Sequence, residues 1–198
     1  MNIARRLALA LLLVASTSHA QDRTTDPLAS LAHCFDGSAF RAASTDRLPA
    51  SVTSRSVETA KGPMPVSLAD GYRMMIHRQG TAPLVNLKIE RSAAGKFDAD
   101  RAAILLQMDM MAAGSKGLHT ERAVQDGIEV IGLHQPATGT ADMNGIYQLF
   151  DKATGTIATA YLLNQAPAVR EYKTQAEYDV LRERFVGVLS KCMAHRTR

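Results

Sequence analysis

The sequence predicts an α+β domain: an antiparallel sheet of about five or six strands flanked by helices, plus a short N-terminal helix. Three observations predict it. Apolar and polar residues alternate in several short runs, tight-turn sequences join neighbouring runs, and an apolar stripe with helical spacing follows near the C-terminus. Hairpins combined with terminal helices are typical of layered α+β domains rather than of parallel-sheet proteins.

The first twenty residues are predicted to be a cleavable secretory signal peptide. Arg5 and Arg6 precede an apolar run at residues 7–15, and small residues lead to a predicted cleavage between Ala20 and Gln21. The apolar run is shorter than the ~20 residues of a membrane span. We therefore expect an exported protein, periplasmic or secreted, that does not span the membrane.

Residues 21–65 are predicted to form an N-terminal helix and a connector. Asp26 and Pro27 suit the start of a helix, and Gly37 suits its end. Residues 38–65 are rich in Ser, Thr, Ala and Arg with poor periodicity, which favours a connector, with an edge strand possible at 52–57. Residues 66–198 are then the α+β domain, packed with the N-terminal helix.

Within that domain, alternation predicts strands at 72–77 and 85–90, followed by a helix that Asp98 caps and Gly114 ends. The turn sequence Asp126-Gly127 predicts a hairpin between residues 120–125 and 128–133. A second hairpin is predicted from 146–150 and 156–163. In its second strand, one face is predicted to carry Ala158, Ala160 and Leu162.

The last element is predicted to be a long helix. Thr174 and Glu177 have the spacing of a capping box, in which each side chain satisfies a free N–H at the helix start. The apolar stripe that follows ends at Cys192. Cys34 is the other cysteine, and an even count in an exported chain predicts a Cys34–Cys192 disulfide.

Parts of this chain resemble the PsbP/DcrB-like fold, over roughly residues 64–192. Pro65-Val-Ser-Leu-Ala-Asp-Gly71-Tyr72 is similar to the proline, turn glycine and aromatic residue that open that fold. Asp126-Gly127 lies at the position of its middle hairpin, and residues 185–192 resemble its closing helix. The resemblance implies an accessory role, because members bind partner proteins, serve photosystem assembly, or act as chaperones and adaptors for secreted effectors. It carries over no catalytic residues.

Charge and motifs argue against several other classes. The formal charge of +4 falls to +2 without Arg5 and Arg6, and the remaining cations are scattered, so nucleic acid is not an expected partner. Hydrolase, phosphate-loop, zinc and calcium motifs are missing from the sequence. Histidines such as His119, close to Glu121, are interpreted as surface or structural residues. We therefore expect a protein that is not an enzyme and that uses no cofactor.

Methionine is the one unusual count, nine in 198 residues. Met110 and Met111 are candidates for an adaptable partner-binding surface. An alternative hypothesis assigns Met74, Met75 and His77 to a Cu(I) site, because thioether and imidazole ligands suit that ion. The same methionines are also consistent with ordinary core packing.

The sequence therefore favours an exported protein that binds another envelope or secreted protein. Such a protein could be an envelope accessory factor, or an inhibitor or immunity protein against a secreted toxin. The alternative is a binder of a small molecule or of copper through the Met and His clusters. The partner, the binding surface and the oligomeric state are left open.

Overall fold

The computed structural model describes residues 28–50, 54–78, 82–135 and 143–195. Their elements are a 3₁₀ helix (Ala29–His33), β1 (Arg41–Pro49), β2 (Arg55–Val57), β3 (Met64–Val66), β4 (Leu68–His77), β5 (Val85–Ser92), α1 (Phe97–Gly114), β6 (His119–Gln125), β7 (Ile128–His134), β8 (Met143–Asp151), β9 (Thr156–Leu163) and α2 (Gln175–Ala194). Seven of these strands form one antiparallel sheet in the order β1-β4-β5-β9-β8-β7-β6, and β2 pairs separately with β3.

One face of the sheet packs against α2 and the N-terminal segment. Alternate residues of the strands point into this first core, as in β5, where Val85, Leu87 and Ile89 are fully buried. Phe35 and Phe185 stack with ring centroids 5.5 Å apart. The α+β architecture therefore matches the prediction, and the N-terminal segment packs against this face of the sheet.

The opposite face of the sheet packs against α1 and the β2–β3 hairpin. Ile104 and Met108 of α1 join Ile131, Phe150 and Ile157 of the sheet in this second core. The two covered faces explain why β8 and β9 are apolar on both sides. Ala158, Ala160 and Leu162 lie in the first core, as predicted.

The local turn and capping signals are confirmed. Asp126 and Gly127 both have positive φ, 53° and 83°, which is the conformation that a two-residue hairpin loop requires. Thr174 accepts a hydrogen bond from the Glu177 backbone, and the Glu177 carboxylate accepts from the backbone of residue 174. The helix start and the hairpin thus form as their sequences indicate.

The predicted connector differs from the structure, because residues 38–65 contribute β1, β2 and much of β3. With β1 the sheet has seven strands, whereas the sequence predicts about five or six. The predicted edge strand at 52–57 is shorter, since β2 begins at Arg55 and pairs with β3 instead of the main sheet. The predicted signal peptide, including Ala20 and Gln21, and residues 51–53 lie outside the described residues.

The two helical predictions in the first half of the chain also need correction. The N-terminal helix is a 3₁₀ helix of five residues in the described part of the chain. Asp98 lies in the first turn of α1 rather than at its cap, which is Lys96 without a side-chain cap. An acidic first turn still interacts favourably with the helix dipole, so the helix prediction itself is confirmed.

The Cys34–Cys192 disulfide is formed, with the two Cα atoms 5.5 Å apart. It joins the end of the 3₁₀ helix to the last turn of α2. Both cysteines pack against the first core. The described residues contain no helix that is both long and apolar enough to cross a membrane.

Candidate functional site

The most developed polar site lies between α2 and the edge of the sheet formed by β6. We call its five side chains the edge cluster: His119 and Glu121 on β6, His134 on β7, Tyr147 on β8 and Arg182 on α2. Strand register brings them together, because His119 is directly opposite His134 and Glu121 is directly opposite Gly132. Gly132 in turn pairs with Tyr147.

Glu121 is the acceptor at the centre of the edge cluster. Its carboxylate accepts a hydrogen bond of 2.9 Å from the Tyr147 hydroxyl and one of 2.6 Å from the Arg182 guanidinium. Arg182 also donates to the Tyr147 hydroxyl. Burial is the main reason that the pKa of Tyr147 is raised, so the phenol stays protonated and acts as a donor.

Arg182 lies on the buried side of α2, between Tyr178 and Phe185. A buried arginine is costly unless it is paired, and here the guanidinium contacts Glu121 at 2.6 Å and Asp179 at 3.5 Å. β6 itself contributes little apolar contact to the first core, because Ala123 is its one apolar side chain that packs against that core. The ionic contact is therefore what attaches the middle of β6 to α2.

His134 lies next to Glu121 in the edge cluster, with its Nε2 atom 4.0 Å from the Glu121 carboxylate. Its ring stacks on that of His119 with a centroid distance of 5.4 Å. The pKa of His134 is lowered, mainly by burial and then by the positive charge of Arg182. The imidazole is therefore neutral at pH 7 and can donate one hydrogen bond and accept another.

A cavity of 260 Å³ opens beside the edge cluster. Its lining consists of His119, His134, Gln175 and Asp179. This volume suits a side chain or a few water molecules rather than a drug-sized ligand. The described residues contain no group of three or more His, Cys, Asp or Glu side chains placed to hold a metal ion.

The outer side of β6 is an open sheet edge among the described strands. A two-residue turn makes its flanking residues, Gln125 and Ile128, a hydrogen-bonded pair, and such pairs alternate along an antiparallel ladder. The N–H groups of Thr120, Arg122 and Val124 therefore point away from β7. Val124 is also 73% exposed, which is unusual for a valine in a strand.

The opposite edge of the sheet, β1, has two protective features that β6 lacks. β1 has a register irregularity between Ala42 and Ser44 and ends at Pro49. Bulges and prolines are among the usual devices that stop an edge strand from pairing with another chain. Exposed charge does not distinguish the two edges, because Arg47 of β1 and Arg122 of β6 each pair with an aspartate at 2.8 Å. β6 pairs with β7 without any register shift, and no proline interrupts it.

The predicted methionine sites are placed as follows. Met110 and Met111 are both half-buried on α1, and Met111 packs against the second core. Met74 is fully buried in the first core, whereas Met75 and His77 lie on the other face of β4. The three candidate copper ligands therefore do not converge on one point.

The edge cluster could have been partly foreseen. Arg182 interrupts an otherwise apolar stripe, with Tyr178 four residues before it and Phe185 three residues after it. A charge in such a position needs a buried partner, but the partner Glu121 is 61 residues away. The spacing alone could not identify it. No protein-family model, curated protein or solved structure matches this chain.

Proposed function

We propose that this chain is an exported protein that binds another protein, and that the partner adds an extended segment to β6 as a further strand. Strand addition uses main-chain hydrogen bonds for affinity and alternate side chains for specificity. The single observation that carries the proposal is the contrast between the two sheet edges. β6 is regular and open, whereas β1 has a register irregularity and a proline.

Rigidity of β6 supports this proposal. Binding is weakened when a loose segment must be ordered first, so a preorganised edge binds better. Glu121 fixes the middle of β6 to α2 through Arg182 and to β8 through Tyr147. On the opposite face, Arg122 contacts Asp109 of α1 at 2.8 Å. The strand is thus held from both faces while its outer N–H groups are left for a partner.

The chemistry of β6 indicates the kind of segment that fits. The exposed Val124 favours an apolar or β-branched residue directly beside it in the added strand. At the other end, Asp179 and the two histidines around the small cavity favour a basic or hydroxyl side chain. An envelope accessory factor, or an inhibitor or immunity protein against a secreted toxin, would bind its target in this way.

The predicted export agrees with the disulfide, since oxidising compartments are where such bonds persist. The predicted signal peptide at residues 1–20 and the Cys34–Cys192 bond point to the same side of the membrane. The partner is accordingly expected among envelope or secreted proteins.

Replacing Val124 by proline tests the proposal, because proline removes an N–H that points away from β7. We expect affinity capture from an envelope extract to recover a stoichiometric partner with the wild-type protein and to lose it with Val124→Pro. The matched control is Val124→Thr, which keeps both the N–H and the branched shape and should retain the partner.

Two results would contradict the proposal. Recovery of no stoichiometric protein from any envelope or secreted fraction would argue against a protein-binding role. Equal recovery by Val124→Pro, with its fold verified by circular dichroism, would show that the partner binds elsewhere on the molecule.

A further inference from the structure

A second group of polar side chains lies on the sheet face opposite α2, outside the edge cluster. Arg73 on β4 is directly opposite Lys88 on β5, and on the same face Asn86 is directly opposite Tyr161 on β9. We call these four residues the cationic patch. All four are at least partly exposed to solvent, so a ligand can reach them.

The cationic patch places two like charges side by side. Directly opposite residues of an antiparallel pair have Cβ atoms about 5 Å apart, and like charges in that position destabilise a sheet. Among the residues that the structure describes, neither Arg73 nor Lys88 makes a hydrogen bond or an ion pair through its side chain. The two cations are therefore available to an anion.

The buried carboxylate of Glu90 is already paired, because both of its oxygens accept hydrogen bonds from Arg55, each at 3.1 Å. The pKa of Lys88 is lowered, mainly by burial; the charge of Glu90 raises it, and the charges of Arg55 and Arg73 lower it. An anion beside Lys88 would offset the lowering and favour the ammonium form of its side chain.

Tyr161 supplies a further hydrogen-bonding group to the cationic patch. Its hydroxyl makes no hydrogen bond within the described part of the chain. Burial raises the pKa of Tyr161, so its hydroxyl remains a donor. The Oδ1 atom of Asn86 is buried and is not open to a ligand. The patch therefore offers donors from Arg73, Lys88 and Tyr161.

We propose that the cationic patch binds an oxyanion, for which inorganic phosphate is the probe. Arg73 and Lys88 bind the charged oxygens, and the Tyr161 hydroxyl donates a hydrogen bond to one of them. This site is on the opposite face from the edge cluster and does not depend on the proposed protein partner.

Calorimetric titration of the mature protein with sodium phosphate at pH 7 and low salt tests the proposal. We expect saturable binding of one phosphate per chain. Arg73→Gln and Lys88→Met should each weaken phosphate binding by about 10- to 100-fold, the usual effect of losing one charged hydrogen bond.

Lys116→Met is the matched control, because Lys116 is an exposed lysine in the turn after α1. Its affinity for phosphate should equal that of the wild type. Lys88→Met keeps the aliphatic part of the side chain, and circular dichroism verifies its fold, so that a loss of binding is not explained by unfolding. Absence of phosphate binding by the wild type, or unchanged binding by Lys88→Met, would overturn the proposal.

Discussion

The backbone of Gly132 lies directly against the aromatic ring of Tyr147. The two residues are cross-strand neighbours in β7 and β8, and a Cβ atom at position 132 would overlap the ring. This close approach allows the Tyr147 hydroxyl to reach Glu121 at 2.9 Å. Gly132 is therefore required for the geometry of the edge cluster, although its own backbone conformation is one that other residues adopt.

Gly132→Ala is expected to lower the free energy of unfolding by about 1–3 kcal/mol, because overpacking forces the Tyr147 ring to move. Urea denaturation measures this change. Gly187 of α2 provides the control, since a Cβ atom there meets nothing within 4 Å. Gly187→Ala should instead stabilise the protein by about 1 kcal/mol, because alanine has a higher helix propensity than glycine. Equal effects of both substitutions would refute the packing argument.

Arg182→Met is expected to lower the free energy of unfolding by about 2 kcal/mol, because Glu121 loses a charged hydrogen bond in a partly buried site. Glu121→Gln should have a similar effect. The double variant should lose less than the two single losses combined, since the pair is already broken by either change. Hydrogen exchange should become faster in β6 of each variant. Additive losses would show that the two side chains do not interact.

Protein stability should depend on pH through His134. Its pKa is lowered in the folded state, first by burial, so the unfolded chain binds more protons just below the usual histidine pKa of about 6.5. The free energy of unfolding should therefore be greatest above about pH 6.5 and should fall as the pH drops from there towards the folded-state pKa.

Chemical denaturation at a series of pH values measures this slope. His134→Gln should flatten it, whereas the control His77→Gln replaces a histidine on β4, outside the edge cluster, and should leave the slope unchanged. A slope that persists in His134→Gln would assign the effect to other groups.

Removing the disulfide with the double substitution Cys34→Ala and Cys192→Ala should lower the free energy of unfolding by about 2–5 kcal/mol. The bond spans 158 residues, so it restricts the unfolded chain strongly. Thermal unfolding of this variant and of the wild type, the latter with and without reductant, measures the loss. Two titratable thiols in the unreduced wild-type protein would contradict the bond itself.

Local sequence signals predicted much of the fold. The capping box at Thr174, the Asp126-Gly127 turn and the alternation in β5 each depend on neighbours within a few residues, and all three are confirmed. β1 escaped prediction because eight of its nine residues are exposed, which leaves no alternation to detect. An exposed edge strand is defined by its partner, here β4, and that partner lies more than twenty residues away.

The candidate sites were less predictable than the fold. Arg73 and Lys88 alternate with apolar residues in two of the predicted strands, and only the register of β4 with β5 places them opposite each other. Glu121 was noted beside His119, yet its strong contacts are with Arg182 and Tyr147. Such groupings depend on tertiary register, which residue spacing along one chain does not contain.

The position of the disulfide has a consequence for damaged molecules. Every strand that the structure describes lies between Cys34 and Cys192, so the bond closes a covalent ring around the whole sheet. One proteolytic cut in any loop of that ring opens it but leaves the two fragments attached to each other. A nicked molecule therefore stays in one piece under oxidising conditions and separates only after reduction. Electrophoresis of lightly proteolysed protein, with and without reductant, would display the difference directly.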